Sequence, residues 1–401
     1  MTSYIHLNDC LACGGTQLEE VLNLGYQPLA NAYRLPSDRT PEATYPLVML
    51  ACTYCLHGQL SISVDQSLLY RNYLYVSGTT LTLRRYFEGF AKEISTLFPH
   101  GNVLDIASND GTFLELLLKE GISANGIDPA QNLVADCSRR GLNVVSGFWS
   151  SNLAKSYTNQ FDVVVAMNVL AHVRDPLDFL RGCSIALKEQ GRVFVQTSQA
   201  RMLCNGEFDT VYHEHHSYFN TTSMEHLVTR AGLEVASVKV VPVHGQSLRW
   251  ELKKRSQSPR RNATHDEICR PPQSLKDYQE FARLAYERAK EFHEVIEIQQ
   301  ARGRVVALYG SAAKAHTFLN FVKYRPDLIV DDNSLKQGLL GPGTNVAIES
   351  PQVLSSVESP ILHVIGAWNF RDEIVTRLKR VRANSEDTYL QYFPKLIYRD
   401  D

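Results

Sequence analysis

Val103-Leu104-Asp105-Ile106-Ala107-Ser108-Asn109-Asp110-Gly111 is an apolar run, a polar turn and a glycine, and the leucines at 114, 116, 117 and 118 carry it on as a helix. Twenty-three residues after Asp105, Gly126-Ile127-Asp128-Pro129 closes a second apolar run. A strand, a tight turn, a helix and a second strand ending in a carboxylate fix the local architecture. The two strands run parallel, and a crevice opens beyond their carboxyl ends. In such a crevice the turn approaches a nucleoside and the carboxylate takes a pair of ribose hydroxyls. A purely structural βα turn would need neither Asp105 nor Asp128 at these places.

The same alternation continues on both sides. Strands are expected at Asn102–Ile106, Ser123–Ile127, Val144–Val145, Val163–Met167, Arg192–Gln196, Glu234–Val241 and Leu248–Leu252, separated by helical patterns. A polar, basic stretch over 253–273 reads as a linker. A helix then follows, with apolar residues at Phe281, Leu284, Ala285, Ala289, Phe292 and Ile296. Beyond Arg304 the α/β pattern repeats, with strands at Val305–Tyr309, Leu328–Asp331 and Ile361–Ile365. The reading divides the chain into an N-terminal lobe (1–82), a central α/β domain (83–254), a linker and helix (255–300) and a C-terminal α/β domain (301–401).

The N-terminal lobe is rich in turns and holds Cys10-Leu-Ala-Cys13 and Cys52-Thr-Tyr-Cys55. Two C-x-x-C knuckles supply four thiolates, enough to close a tetrahedral zinc shell with no position left for water. The expected role is therefore structural, in a lobe with too little apolar core of its own. The other four cysteines are scattered, which argues against a disulfide framework and for a reducing compartment, the cytoplasm. Met1–Cys10 has neither a basic start nor a long apolar run, so no secretory leader is expected, and no segment is apolar enough to span a membrane. A net charge of −2 across 401 residues gives no electrostatic footprint for nucleic acid.

Glu207-Phe208-Asp209-Thr210-Val211-Tyr212-His213-Glu214-His215-His216 gathers carboxylates, imidazoles and a phenol just after a strand of the central sheet. The spacing is not that of a H-E-x-x-H zinc protease. A neutral imidazole held among such neighbours is a general base at physiological pH, and a patch of surface histidines is the bland alternative.

With these motifs on the page, the chain resembles a known family. The 103–113 segment is similar to the first motif of class I S-adenosylmethionine-dependent methyltransferases. Phe161-Asp162-Val163-Val164 followed by Asn168-Val169-Leu170-Ala171-His172-Val173 looks like their fourth-strand region. The Ser-Asn-Asp-Gly turn, the Asn168–Val173 segment and Leu29-Ala30-Asn31-Ala32 together resemble the sugar C-methyltransferases of nucleotide-deoxysugar biosynthesis. That family has a zinc lobe, a class I Rossmann-like methyltransferase domain and a C-terminal Rossmann-like α/β domain, and serves antibiotic biosynthesis among other ends. The resemblance implies that Asp105, Ala107 (often Gly in the family), Asn109 and Gly111 line the methionine end of the methyl donor. It implies that Asp128 takes the ribose, that Phe148 or Trp149 lies near the adenine, and that Asn168 borders the site. It carries the base role onto His215, with Glu214 and Tyr212 as support, and places Tyr75, with Tyr73 as its neighbour, beside the sugar. His244-Gly-Gln-Ser247-Leu-Arg249 resembles the family's His-Gly-Gly-Ser segment, with Gln246 in place of a glycine, and suggests His244, Ser247 and Arg249 as substrate contacts.

Gly310-Ser311-Ala312-Ala313-Lys314 in the C-terminal domain is another strand-to-helix turn. In the family this domain helps hold the nucleotide sugar, which suggests Lys314 as a substrate contact. The turn lacks the full dinucleotide fingerprint, so an NAD site is the weaker reading. The function expected is C-methylation of a nucleotide-linked keto-deoxysugar through an enolate. The alternatives are an O- or N-methyltransferase on another metabolite, or a zinc-stabilised binding protein with an inactive methyltransferase fold.

Overall fold

The computed structural model describes residues 3–70, 81–198, 200–243, 245–256, 264–265, 271–382 and 386–399. Three sheets carry the architecture. The central one has eight strands in the order Thr264–His265, Leu233–Val241, Ser247–Lys254, Leu187–Ser198, Phe161–Met167, Asn102–Ile106, Ser123–Asp128 and Val144–Ser146. The five from Leu187–Ser198 to Val144–Ser146 are mutually parallel, while Ser247–Lys254 runs antiparallel to both its neighbours. Successive connections depart in opposite directions from the Asn102–Ile106 and Phe161–Met167 strands, so the crevice opens between their carboxyl ends. Their apolar runs are buried on both faces, as sheets covered by helices require: Val103, Val163, Val164, Val165 and Val193 are fully enclosed.

The expected strands are all present. The stretch read as a linker is only partly one. Lys253 and Lys254 complete the Ser247–Lys254 strand, and Thr264–His265 adds itself in parallel to Leu233–Val241. The helix after it, Leu275–Ala301, starts at a capping box formed by Ser274 and Asp277 and buries Tyr278, Phe281, Ala285, Phe292 and Ile296. The C-terminal sheet has six strands, parallel except for Ile397–Arg399 at its edge.

The N-terminal lobe is more regular than its turn-rich sequence suggests. Leu18–Pro28, Thr44–Cys52 and Gly58–Leu60 form an antiparallel sheet, and its fourth strand comes from elsewhere. Ser217–Tyr218, directly after the histidine cluster, pairs with Gln59 and Gly58, and the Leu60 N–H donates to the His216 carbonyl at 3.0 Å. The lobe's sheet and the cluster segment are thus one hydrogen-bonded unit. Among the described residues no helix is long and apolar enough to cross a membrane.

Candidate active site and metal centre

The four paired cysteines converge. Their sulfurs all lie within 4.8 Å of one another, with Cys10 and Cys55 3.5 Å apart and Cys13 and Cys52 3.6 Å apart. Zn–S bonds of ~2.3 Å in a tetrahedron place sulfurs roughly 3.8 Å apart, so the cage has the size of a zinc site. The backbone N–H groups of Cys13 and Gly15 point at the sulfurs of Cys10 and Cys13, at 3.5 and 3.4 Å, as thiolate ligands favour. Cys10, Cys52 and Cys55 are buried, which suits a structural ion.

In the central crevice the turn 107–111 is bent by three successive left-handed positions, Ala107, Asn109 and Gly111, at φ 59°, 52° and 71°. Gly111 is required twice over: its φ is positive, and a Cβ there would sit 2.5 Å from Leu142 and 3.0 Å from the Cys137 sulfur. The bend turns backbone N–H groups toward Asp128. One carboxylate oxygen accepts from Asn109 N at 2.9 Å and the other from Ala130 N at 2.8 Å. Each oxygen keeps a further acceptor position, the arrangement that matches a vicinal diol. Burial pushes Asp128 up despite these two N–H groups, and it pushes Asp105 well up, with Asp128 and Asp110 adding repulsion. Such a pocket gains from a positively charged ligand. Among the described residues, the buried Ser108 hydroxyl of the same turn has no partner. The crevice therefore fits a sulfonium nucleoside.

Phe148 and Trp149 part company. Phe148 is exposed beyond the Val144–Ser146 strand, whereas Trp149 is buried with its indole N–H on the Phe179 carbonyl at 3.1 Å. Of the two, only Phe148 presents a free ring. Asn168 follows the Phe161–Met167 strand at φ 56°, and its side-chain oxygen accepts from Gln196 at 3.2 Å.

At the next strand end the histidine cluster is buried, not spread on the surface. His215 Nδ1 donates to the Thr210 carbonyl at 2.8 Å, which leaves Nε2 as the basic nitrogen, 3.0 Å from the Tyr212 hydroxyl. The His172 ring packs edge-on at 4.7 Å. Burial holds the His215 imidazole well below its ordinary value, helped by His172, Lys314 and His216. His172 was visible in the sequence only as part of the Asn168–Val173 segment, since a lone histidine carries little signal. His216 and His213 have other work: His216 bonds Ser63 at 2.8 Å and the His172 carbonyl at 3.2 Å, and His213 packs on Tyr45.

Glu214 does not orient His215. Its carboxyl turns away to Asn31, whose amide donates at 2.7 Å, and the imidazole is set by Thr210 and Tyr212 instead. The physical reason is the turn: the His215 N–H closes on the Tyr212 carbonyl at 2.8 Å, and adjacent side chains then point to different neighbours. Burial pushes Glu214 up to about 7.

The downstream segment also differs from expectation. Arg249 lies on the Ser247–Lys254 strand, ion-paired with Glu93 and stacked 4.3 Å over Phe90, so its guanidinium is held by the helix Leu81–Leu97. Ser247 is buried and donates to the Val243 carbonyl at 3.0 Å. Gln246, where a glycine was expected, keeps a glycine-like φ of 82°. His244, Tyr73 and Tyr75 lie outside the described residues.

The C-terminal domain reaches the cluster through Trp368, whose indole N–H donates to Asp209 at 2.7 Å, and Lys314 sits 4.9 Å over the Trp368 ring. Burial pushes Asp209 up to about 7. The domain's own crevice repeats the central one: Asp331 accepts from Ser311 N at 2.7 Å and Asn333 N at 2.8 Å. Here, however, Lys336 lies 3.4 Å from the same carboxylate, and Lys336 and Tyr33 both donate to the Ser311 carbonyl, at 2.7 and 2.5 Å. Two of the protein's own side chains thus lie on the turn of this crevice.

The fold and this site define an S-adenosylmethionine-dependent methyltransferase with a zinc centre. The family models and the relatives in sequence agree with that assignment. A zinc binding domain model matches residues 10–70, a methyltransferase domain model 82–238 and a C-methyltransferase C-terminal domain model 242–394. The chain is 27% identical over 398 residues to the C-methyltransferase NovU of Streptomyces niveus, covering 94% of both proteins. It is 35% identical over 99 residues to a ubiquinone biosynthesis O-methyltransferase of Methylococcus capsulatus, covering 23% of this chain and 42% of that one. A SAM dependent methyltransferase from Archaeoglobus fulgidus superposes at a TM-score of 0.35 with 16% identity, over 47% of this chain and 98% of that one. Along its length the chain is thus similar to C-methyltransferases that carry a zinc binding domain, and the resemblance read from its motifs is borne out.

Proposed function

We propose that this cytoplasmic enzyme methylates a carbon next to the ketone of a nucleotide-linked keto-deoxysugar. The observation that carries this reading is His215: a buried, neutral imidazole with its Nδ1 proton tied to Thr210 and its Nε2 lone pair directed at Tyr212. Carbon is a poor nucleophile until its proton leaves, and a ketone makes that proton acidic by spreading charge into an enolate. Transfer to an oxygen or nitrogen has less need of so protected a base.

His215 Nε2 takes the proton. The Tyr212 hydroxyl, which now fills the acceptor position of Nε2, gives way and donates to the developing enolate oxygen, where a preorganised donor is most effective. Tyr75, through the family resemblance, is the alternative donor to that oxygen. His172 keeps the imidazole plane in place. Asp128 holds the ribose of the methyl donor, Phe148 borders its adenine, and Asp105, with Ala107, Asn109 and Gly111, forms the acidic turn around its cationic end. When bound there, S-adenosylmethionine supplies an electrophilic methyl carbon. Lys314 is the C-terminal domain's contribution to holding the anionic part of the substrate.

The test is isotope exchange. With a nucleotide-linked keto-deoxysugar in deuterated water and S-adenosylhomocysteine in place of the methyl donor, the wild type should wash deuterium into the carbon next to the ketone. No exchange there, or methyl found on oxygen by mass spectrometry when S-adenosylmethionine is supplied instead, overturns the enolate reading.

A further inference from the structure

Residues 29–42 leave the lobe's sheet after Pro28 and run along two other parts of the molecule. On one side, Asn31 donates to Glu214. On the other, Tyr33 bonds the Ser311 carbonyl, Arg34 and Leu340 exchange backbone hydrogen bonds as an isolated antiparallel bridge, and the Gly343 N–H donates to Glu42 at 3.1 Å. Arg34 also reaches Asn345 at 2.9 Å. Asn31 is therefore held between the strand that ends at Pro28 and these contacts, which follow it in the chain.

Its partner depends on it. Glu214 is 3% exposed, and among the described residues no charged side chain acts on its carboxyl. The flanking His213 and His215 are uncharged at neutral pH, because burial holds both below the ordinary imidazole range. The Asn31 amide is the one group opposing burial at Glu214. A carboxylate in so dry a place needs a hydrogen-bond donor to exist at all.

We propose that Asn31 is a positioning residue for the reaction, acting through Glu214: its amide fixes the carboxyl and stabilises the ionised form, so that the arm of the zinc lobe sets the proton state of the catalytic segment. This rests on the expectation that Glu214 serves the proposed reaction: its carboxyl does not orient His215, and the two are joined through the backbone turn from Tyr212 to His215. An amide serves where a carboxylate would not, since it presents a donor to one oxygen and carries no charge of its own.

The test needs no acceptor substrate. Infrared difference spectra of the full chain, titrated from roughly pH 5 to pH 9, should show buried carboxyl intensity from Glu214 and Asp209 with midpoints near 7, the Glu214 share being the part lost in Glu214→Gln. In Asn31→Leu the midpoint should rise by about one to two pH units, the worth of a hydrogen bond to a charged acceptor. Asn31→Ala is the second variant if Asn31→Leu does not fold, with zinc content and thermal unfolding as the check. A folded Asn31 variant in which the Glu214 share keeps its midpoint overturns the proposal, and so does a Glu214→Gln spectrum that loses no carboxyl intensity. A moved midpoint alongside a wild type that exchanges no deuterium leaves this link standing and overturns the enolate reading alone.

Discussion

The Nδ1–H of His215 and the carbonyl oxygen of Thr210 lie 2.8 Å apart, and that bond decides which nitrogen of the ring is basic. Because Thr210 has no proton to lose, the assignment does not change with pH. The base is also insulated from acid, since burial holds the imidazole well below its ordinary value. His215→Asn should retain S-adenosylmethionine binding and lose about 10²–10⁴ in turnover, as removal of a general base does. Isothermal titration beside single-turnover methylation separates the two; full turnover in the variant would move the base role to another residue.

Asp128 is built to accept. Its oxygens each hold one backbone N–H and keep room for one hydroxyl. Asp128→Ala should weaken S-adenosylmethionine binding by roughly ten- to over a hundredfold, given about 1.5–3 kcal/mol for hydrogen bonds to a charged group. Calorimetry that returns the wild-type dissociation constant would remove Asp128 from the site.

Zinc should be present at one equivalent per chain, and its loss should reach the active site. The lobe's sheet includes Ser217–Tyr218, next in the chain to the histidines. Chelation or Cys52→Ser should therefore abolish methylation along with lobe stability, because sites of this type unfold without metal. Metal analysis gives the stoichiometry, and hydrogen exchange at residues 213–218 reads the coupling; unchanged protection there in metal-free protein would show the two to be independent.

Glu214 gives a pH signature in stability. Its folded value, about 7, is raised above an ordinary 4.5, so between these values the folded state binds a proton that the unfolded state has lost. Its contribution is thus fully present below about 4.5 and falls as pH rises to 7, by about 3 kcal/mol in all. Glu214→Gln has no such proton to lose. Denaturant unfolding of the two proteins at several pH values should show the variant gaining on wild type across that window and no further change above it.

The family resemblance suggested Arg249 as a substrate contact, and the structure pairs it with Glu93. Arg249→Met should cost about 2 kcal/mol of stability by stranding Glu93, less than a fully buried pair because Glu93 is partly exposed. Donor and substrate KM values should stay put; a large rise in substrate KM at unchanged Tm would restore the original role.

Much of the site was readable because its signals are local. The Asp105–Gly111 turn with Asp128, the cysteine pairs and the burial-prone helix Leu275–Ala301 each express a short-range rule of strand ends, ligand spacing or helical period. What escaped reading was decided at a distance. Asn31 meets Glu214 across 183 residues, and no periodicity announces that meeting. Ser217–Tyr218 is a two-residue strand, too short for alternation to register. Arg249 was assigned to the substrate through the resemblance of its segment alone; only the packing of Phe90 and Glu93 shows where it goes. Gln246 kept the backbone of the glycine it replaces, which sequence alone could not tell.

The shared sheet of the N-terminal lobe sets a rule for anyone recombining such enzymes. Since Ser217–Tyr218 completes a sheet whose other strands lie before residue 61, the lobe is not an exchangeable cassette. A chimaera joined near residue 82 would put a foreign edge strand beside Gly58 and Gln59 and leave the native one without its neighbour. Grafts should instead carry the lobe and the 207–218 segment together, and natural changes in one should be answered by changes in the other.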